Sequence, residues 1–518
     1  MLNSTSFLKA ALSIVFVAVV AACGGGGGGS SAPPPVATPP PPPPATGFDA
    51  GQFQPSSQFK NLCAAPRAGT SDRAGTTADE NNWLRSWSNE LYLWYDEIRD
   101  QNPRNFTTPA YFDVLKTEQL SGSGRPKDRF HFTYTTEEWN RLSNSGIAAG
   151  YGAKLIVLSG SPPREIVVAY VAQGTPAASA GLVRGTRIVS VNGVDVATGS
   201  DVTTLNNGLF PSASGQSNRF EVRDPGTNTV RSINMTSAEV TMDPVDIVST
   251  IPNNGEQVGY IHFNDHNRPS EAKLVNAFRT LRDQRVNDLV LDLRYNGGGF
   301  LDIANETAFM IAGAAAQGRI FEELRFNRKH TSTNPVTGER LEPDRFHETT
   351  QGFSASAGQA LPTLGLRRVF VLTTARTCSA SESIINGLRG IGIEVVQIGG
   401  NTCGKPYGFY PTDNCGTTYF SIQFQGVNAT GFGDFTDGFG RNNGAVTLPG
   451  CSASDDFSRP LGDSAERLLN AALFYQDNGS CPVGLQAAED DEEGIAFRRD
   501  DVAEGPELVE PFFPGAIH

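Results

Sequence analysis

From about Val245 to Leu473 short apolar runs alternate with stretches of helical period, and this alternation limits the folds open to the chain. Val258-Gly259-Tyr260-Ile261-His262-Phe263 reads as a strand, and Leu274, Phe278 and Leu281 form one helix face. Leu289 to Leu293, Val369 to Thr373 and Val395 to Ile398 read as further strands. Strands separated by helices need crossover connections, which predicts βαβ units and a largely parallel sheet. One strand-to-helix turn carries Thr377-Cys378-Ser379-Ala380-Ser381-Glu382, and Cys403-Gly404-Lys405 follows the next strand. A serine hydroxyl is a poor nucleophile until a base takes its proton, and a desolvated lysine is such a base without any histidine.

That chemistry assigns roles. Ser379 at a helix N-terminus gains from the local dipole and the free N–H groups there. The Ala380 N–H is placed to stabilise a tetrahedral oxyanion, with Gly297 or Gly298 of the Asn296-Gly297-Gly298-Gly299 turn as second donor. Lys405 must be neutral to accept a proton, so burial must lower its pKa. Each residue also has an ordinary role. Ser379 and Glu382 match a helix capping box, Ser381 is a rival nucleophile, Lys405 could be a loop lysine, and the glycine turn could be structural.

Upstream, Trp83, Trp87, Leu91, Trp94 and Ile98 recur at three- and four-residue steps and predict one helix ended near Pro103. Tyr111, Phe112 and Leu115 predict a second. Aromatics at this spacing are core, so residues 59–146 are expected to form a small helical domain. In residues 147–239, Gly150-Tyr151-Gly152-Ala153 precedes an apolar strand, followed by Gly174-Thr175-Pro176-Ala177-Ala178, Gly181-Leu182, Gly185, Arg187-Ile188 and Val191-Asn192-Gly193. This pattern resembles a circularly permuted PDZ domain. Gly150, Tyr151, Gly152 and Ala153 then form a peptide-binding loop whose N–H groups hold a C-terminal carboxylate beside an open strand edge. Asn192-Gly193 predicts a tight turn between strands.

Three motifs together resemble the C-terminal processing proteases of peptidase family S41: Asp292-Leu293-Arg294-Tyr295-Asn296-Gly297-Gly298-Gly299, Ser379-Ala380-Ser381-Glu382 and Gly404-Lys405. The order of helical segment, PDZ segment and alternating core is also the family's. The resemblance implies a multidomain α/β protein. It would have a ClpP/crotonase-like serine protease core with βαβ crossovers at 240–483, an inserted β-rich α+β PDZ domain and the small N-terminal helical domain. Carried over by position, Ser379 is the nucleophile and Lys405 the general base. The family often has a glutamine four residues after the lysine. Here Phe409 stands there, so the group orienting Lys405 is unassigned. Cys378 precedes the nucleophile where alanine is common, which makes redox-dependent activity an expectation. Relatives resembling tricorn proteases use a histidine before the PDZ domain, so His131 is the alternative base, ahead of His262 and His266.

The N-terminus reads as a processing signal. Lys9, an apolar run from Ala10 to Val20 and Val20-Ala21-Ala22-Cys23 resemble a lipoprotein signal peptide (residues 1–22), with lipidation at Cys23. Residues 23–58 hold a glycine tract and a proline-rich stretch, read as a tether. Residues 484–518 form an acidic tail, expected to be partly disordered. Six cysteines remain beyond Cys23, and an exported chain is expected to pair them. A bridge from Cys378 to Cys403, or from Cys403 to Cys415, would stiffen the site. No Cys-x-x-Cys or close His/Cys pair points to a metal, and no phosphate loop points to a nucleotide, so no cofactor is expected. A net charge of −14 argues against nucleic acid. The expected enzyme is a serine endopeptidase, lipid-anchored in a bacterial envelope at the outer membrane facing the periplasm. It would act on polypeptides through their C-termini, with or without an adaptor protein. The alternatives are a non-catalytic PDZ-containing peptide-binding lipoprotein and an envelope scaffold. An esterase is disfavoured because no Gly-x-Ser-x-Gly surrounds Ser379.

Overall fold

The computed structural model describes residues 48–441, 444–485 and 487, and the backbone of 515–517. The expected signal peptide, Cys23, nearly all of the tether and most of the acidic tail lie outside the described residues. Among the described residues no helix is long and apolar enough to cross a membrane.

Helix α1 (Thr77–Leu91) starts at a capping box between Thr76 and Asp79. It buries Trp83, Leu84 and Trp87 against Tyr111 and Phe112 of α2 (Thr108–Val114) and against Tyr419. The aromatic pattern predicted one helix as far as Pro103, yet α1 ends at Leu91. Tyr92 turns extended, its hydroxyl donates to Asp128 Oδ2 at 2.7 Å, and Leu93 N–H donates to Ile422 O at 2.8 Å. Tertiary bonds therefore overrule the helical period, and Trp94 and Ile98 pack on the main core instead. Strand β1 (Phe132–Thr135) and α3 (Thr136–Ser145) complete this segment.

The middle segment comprises β2 (Ile147–Gly150), β3 (Ala153–Ser159), β4 (Glu165–Val171), β5 (Arg187–Val191), α4 (Val202–Leu209), β6 (Ser217–Arg223), β7 (Val230–Thr236) and β8 (Ala238–Thr241). Its main sheet runs β7-β6-β5-β4-β3, around a core that includes Val157, Val168, Leu205 and Phe220. Asn192 (φ 51) and Gly193 (φ 84) make the expected tight turn after β5. β2 pairs antiparallel with β8, which closes the entry and exit of the segment.

The rest is built from β9 (Val245–Asn253), β10 (Glu256–Phe263), α5 (Ser270–Asp283), β11 (Asp288–Asp292), β12 (Gly298–Phe300), α6 (Leu301–Ala312), β13 (Ile320–Phe326), β14 (Arg368–Thr373), α7 (Ala380–Gly390), β15 (Glu394–Gly399), β16 (Tyr407–Gly408), β17 (Thr417–Phe420), β18 (Phe424–Val427), β19 (Gly450–Ser452), α8 (Arg467–Asn478) and β20 (Gly515–Ile517). The six-stranded sheet has the order β9-β10-β11-β14-β15-β19 and is parallel from β10 onward. Its register aligns Val290 with Phe370 and Phe370 with Val396. These side chains pack on Leu468 and Leu469 of α8. The opposite face carries Ile261, Leu291 and Val371 against Phe278 of α5 and Ile384 of α7. Burial on both faces explains why these strands read as unbroken apolar runs. β13, β18 and β16 form part of a second sheet beside α7, and β17 pairs with β1. The Cys63–Cys415 disulfide adds a covalent tie between the first segment and this core.

The turn after β11 is held by Arg294, which has no solvent exposure. It forms ion pairs with Asp292 (2.8 Å), Asp455 (2.8 Å) and Glu466 (2.9 Å). Arg184 of the middle segment reaches the same Asp455 at 2.7 Å and the Tyr295 hydroxyl at 2.7 Å. Removing one partner of a buried cluster leaves uncompensated charge. Arg294→Met should therefore cost about 3–5 kcal/mol, read as a lower denaturant midpoint.

Candidate active site

Ser379 sits at the turn between β14 and α7, as its position between an apolar run and a helical pattern predicted. Its backbone is in an unusual region for a non-glycine residue (φ 58, ψ −115). Such a conformation persists only where surrounding bonds over-determine it. Here they do. Thr377 Oγ1 donates to Leu293 O (2.9 Å), Cys378 N–H and Ser381 Oγ both donate to Asn296 O (3.1 Å each), and Ser383 N–H donates to Ser379 O (2.9 Å). Ser381 is thereby committed to the scaffold. Ser379 Oγ is buried and has no hydrogen-bond partner in the structure.

The second element is the loop after β15, where Cys403, Gly404 and Lys405 follow. Glu382 joins it to the serine turn. Its fully buried carboxylate accepts the N–H groups of Ser379 (2.9 Å), Gly404 (2.9 Å) and Lys405 (2.8 Å), and the Thr402 hydroxyl. Burial pushes the Glu382 carboxyl above its ordinary pKa, and these donors pull it back only in part. The capping-box reading found the bond to Ser379 N–H but not the three to the lysine loop, because nothing local links residues 382 and 402–405. A Cys378–Cys403 disulfide ties the same two segments covalently. Of the two pairings left open for Cys403, this is the one formed. Cys451–Cys481 completes the set. Cys378, Glu382 and Cys403 lie close enough to suggest a metal site, but cysteines in a disulfide offer no thiolate.

Lys405 is 1% exposed, and burial holds its amine well below the usual lysine range, against the opposing pull of Asp128 and Glu382. Its Nζ lies 4.1 Å from the centre of the Phe409 ring and 5.1 Å from that of Phe130. Phe409, at the expected glutamine position, thus contributes an aromatic face and removes water. The opposing charge, Asp128, comes from the N-terminal segment. It accepts from the Tyr92 hydroxyl (2.7 Å) and Phe130 N–H (3.0 Å), and His131 Nδ1 lies 3.5 Å from its carboxylate. In the sequence this stretch offers His131, and not Asp128, as its candidate functional residue. A charged residue beside Phe130 and His131 in an aromatic-rich stretch was the available signal. His131 is instead stacked on Phe112 at 3.8 Å with Nε2 on Phe112 O at 2.9 Å. His262 is bound to Asp246 at 2.7 Å. His266 donates from Nδ1 to Asn296 Oδ1 (2.9 Å), and burial lowers its pKa to about 3, so it is neutral.

The glycine turn lies directly beside the serine. A Cβ at Gly298 (φ +104) would stand 2.9 Å from Ser379 Cβ and 3.0 Å from Ala380 N. Only glycine fits there, which gives the motif a steric reason. Gly298 N–H donates to Asn296 Oδ1 at 2.9 Å. Of the two expected second donors, Gly297 is therefore the one without such a bond. The four residues expected as a peptide loop form the connection between β2 and β3. Gly150 ends β2 and Ala153 begins β3. Tyr151 is buried, with its hydroxyl on Gly208 O at 2.8 Å, at the end of α4. The Tyr151 and Gly152 carbonyls accept from Ala177 and Ala172 N–H, 2.8 Å each. β3 is an end strand of its sheet.

With this geometry in place, comparison with known proteins is informative. The profile of peptidase family S41 matches residues 257–409, and that of the PDZ domain matches residues 167–205. The stretch matched to family S41 thus spans the Gly298 turn, Ser379, Glu382, Lys405 and Phe409. A carboxyl-terminal-processing protease of Picosynechococcus sp. is 29% identical over 174 residues, 32% of this chain and 39% of that protein. CtpB of Bacillus subtilis, a carboxy-terminal processing protease, is 29% identical over 159 residues, 30% of this chain and 31% of its own length. The chain thus spans about two fifths or less of these relatives. The crystal structure of a Bacteroides fragilis protein assigned to the S41 proteases superposes with a TM-score of 0.57 at 25% identity, over 77% of this chain and 97% of that one. The α/β class is thus borne out, with a PDZ domain and a fold like that of S41 proteases.

A serine-directed fluorophosphonate should label Ser379, read by mass spectrometry of the modified peptide. The reactive lysine must be neutral, so labelling should rise with pH through the lowered Lys405 pKa and level off above it. Lys405→Met should abolish that rise.

Proposed function

We propose that the chain is a serine endopeptidase of the cell envelope that cleaves unfolded or C-terminally exposed polypeptides through a Ser379/Lys405 dyad. The observation that carries this reading is the buried Glu382 carboxylate holding both the strained Ser379 turn and the Lys405 loop. Two parts of an active site far apart in the chain are thereby kept in one geometry. Ser379 attacks the peptide carbonyl, and its proton passes to Lys405 and on to the leaving amine. Water then hydrolyses the acyl ester. Ala380 N–H and Gly297 N–H receive the developing oxyanion.

The PDZ domain supplies polypeptide recognition through the open edge of β3 and the Gly150–Ala153 loop. The N-terminal pattern supports a lipid anchor at Cys23 and a place at the outer membrane facing the periplasm. The non-catalytic peptide-binding reading draws support from two observations: Ser379 Oγ has no hydrogen-bond partner, and Phe409 replaces the orienting glutamine.

The deciding experiment incubates the chain, starting after the tether, with an unfolded polypeptide ending in apolar residues, and reads fragments by mass spectrometry. Ser379→Ala and Lys405→Ala should stay folded and lose at least about 10³-fold in kcat/KM. Glu382→Gln should lose about 10²-fold, since misplacing reacting groups by an ångström costs that much. A wild type that binds the polypeptide but never cuts would favour the binding-protein reading.

A further inference from the structure

Strand β12 (Gly298–Phe300) runs past Ser379, and its two edges are used differently. On one edge, Gly298 O accepts His266 N–H at 3.1 Å and Phe300 N–H donates to His266 O at 2.9 Å. Backbone groups of neighbouring strand residues point to opposite edges. The N–H and C=O of Gly299 therefore face the other edge. That edge is taken by β20, the backbone of residues 515–517, in parallel register: Gly298 with Gly515, Gly299 with Ala516 and Phe300 with Ile517. β20 also lies against β16, which follows Lys405 by two residues. The strand thus runs between the glycine turn and the lysine loop.

The polarity has a chemical meaning. Gly298 is the β12 residue beside Ser379, so β20 starts at the nucleophile and runs away from it toward its C-terminal end. In a peptidase, the residues leading away from the nucleophile in that direction are those of the leaving group. We infer that the edge of β12 paired with β20 is the subsite for the leaving-group side of an extended polypeptide, and that residues 515–517 of this chain hold it in cis. The meaning of the subsite rests on the peptidase reading; its occupancy does not. Pairing through backbone groups accepts many sequences, so one edge serves both the chain's own segment and a substrate. Residues 488–514 reach up to roughly 3.3 Å each when extended, ample for docking within one molecule. A ligand tethered in this way has an effective concentration on the order of mM. A substrate must displace it, which makes the segment a built-in competitor.

The test compares the full chain with one lacking residues 511–518, both as wild type and as Ser379→Ala. Peptide-resolved hydrogen exchange over residues 297–301 should show protection in full-length Ser379→Ala and its loss after truncation. Truncation of the wild type should lower KM for an added polypeptide roughly 3- to 10-fold, with kcat unchanged. A synthetic peptide of residues 511–518 should inhibit the truncated enzyme competitively. A wild type shortened within residues 511–518, where Ser379→Ala keeps them, would also support the inference, because the segment would have reached the nucleophile. Equal exchange and equal KM in full-length and truncated protein would overturn it. Changed exchange in a protein that cleaves nothing would uphold the docking and defeat the peptidase reading instead.

Discussion

The site depends on one buried carboxylate. Glu382 lies in the first turn of α7, without solvent, and accepts hydrogen bonds from two chain segments that meet only in the folded core. Burying a carboxylate is costly unless its oxygens are satisfied. Here the backbone of the serine turn and of the lysine loop satisfies them. If either segment shifts, the carboxylate loses partners in a medium where that loss is expensive. The energetic penalty of burial therefore becomes rigidity of the Ser379–Lys405 arrangement. The positive-φ conformation of Ser379 survives for the same reason, and the Cys378–Cys403 disulfide reinforces the same junction.

Around this junction the three segments of the chain are interdependent. The N-terminal segment contributes Asp128, whose charge acts on Lys405, and Phe130, whose ring faces its amine. The PDZ segment contributes Arg184 to the Arg294 ion-pair cluster beneath the glycine turn, and its Val157 carbonyl receives the Arg376 guanidinium from the loop before Ser379 at 2.8 Å. The exclusion of water that makes burial of Lys405 unfavourable also lowers the pKa of its amine. The burial thus costs stability and favours an uncharged amine at this position.

Several features were legible from local patterns. The alternation of strand and helix predicted the parallel sheet, because a strand buried on both faces must be apolar throughout. The PDZ glycines and Asn192-Gly193 marked turns that need positive φ. Ser379 and Lys405 stood out because a known motif joins them. The aromatic period from Trp83 to Ile98 misled as to where α1 ends. Its residues are indeed buried, but Tyr92 leaves the helix to reach Asp128. Locally Glu382 has the pattern of a helix cap and Asp128 is inconspicuous beside His131, since their decisive partners are distant in the chain.

Local patterns in the chain are enough for the α/β class, the order of the segments, the serine and lysine at the ends of two core strands, and the six cysteines beyond Cys23. These follow from periodicity, turn chemistry and motif spacing, which are local properties. The folded core sets which cysteines pair, which acid binds both halves of the site, and which ring faces the Lys405 amine where a glutamine is expected. It also decided that residues 515–517 lie on the edge of β12. Those outcomes depend on contacts between residues far apart in the chain, where burial sets the strength of each hydrogen bond and charge.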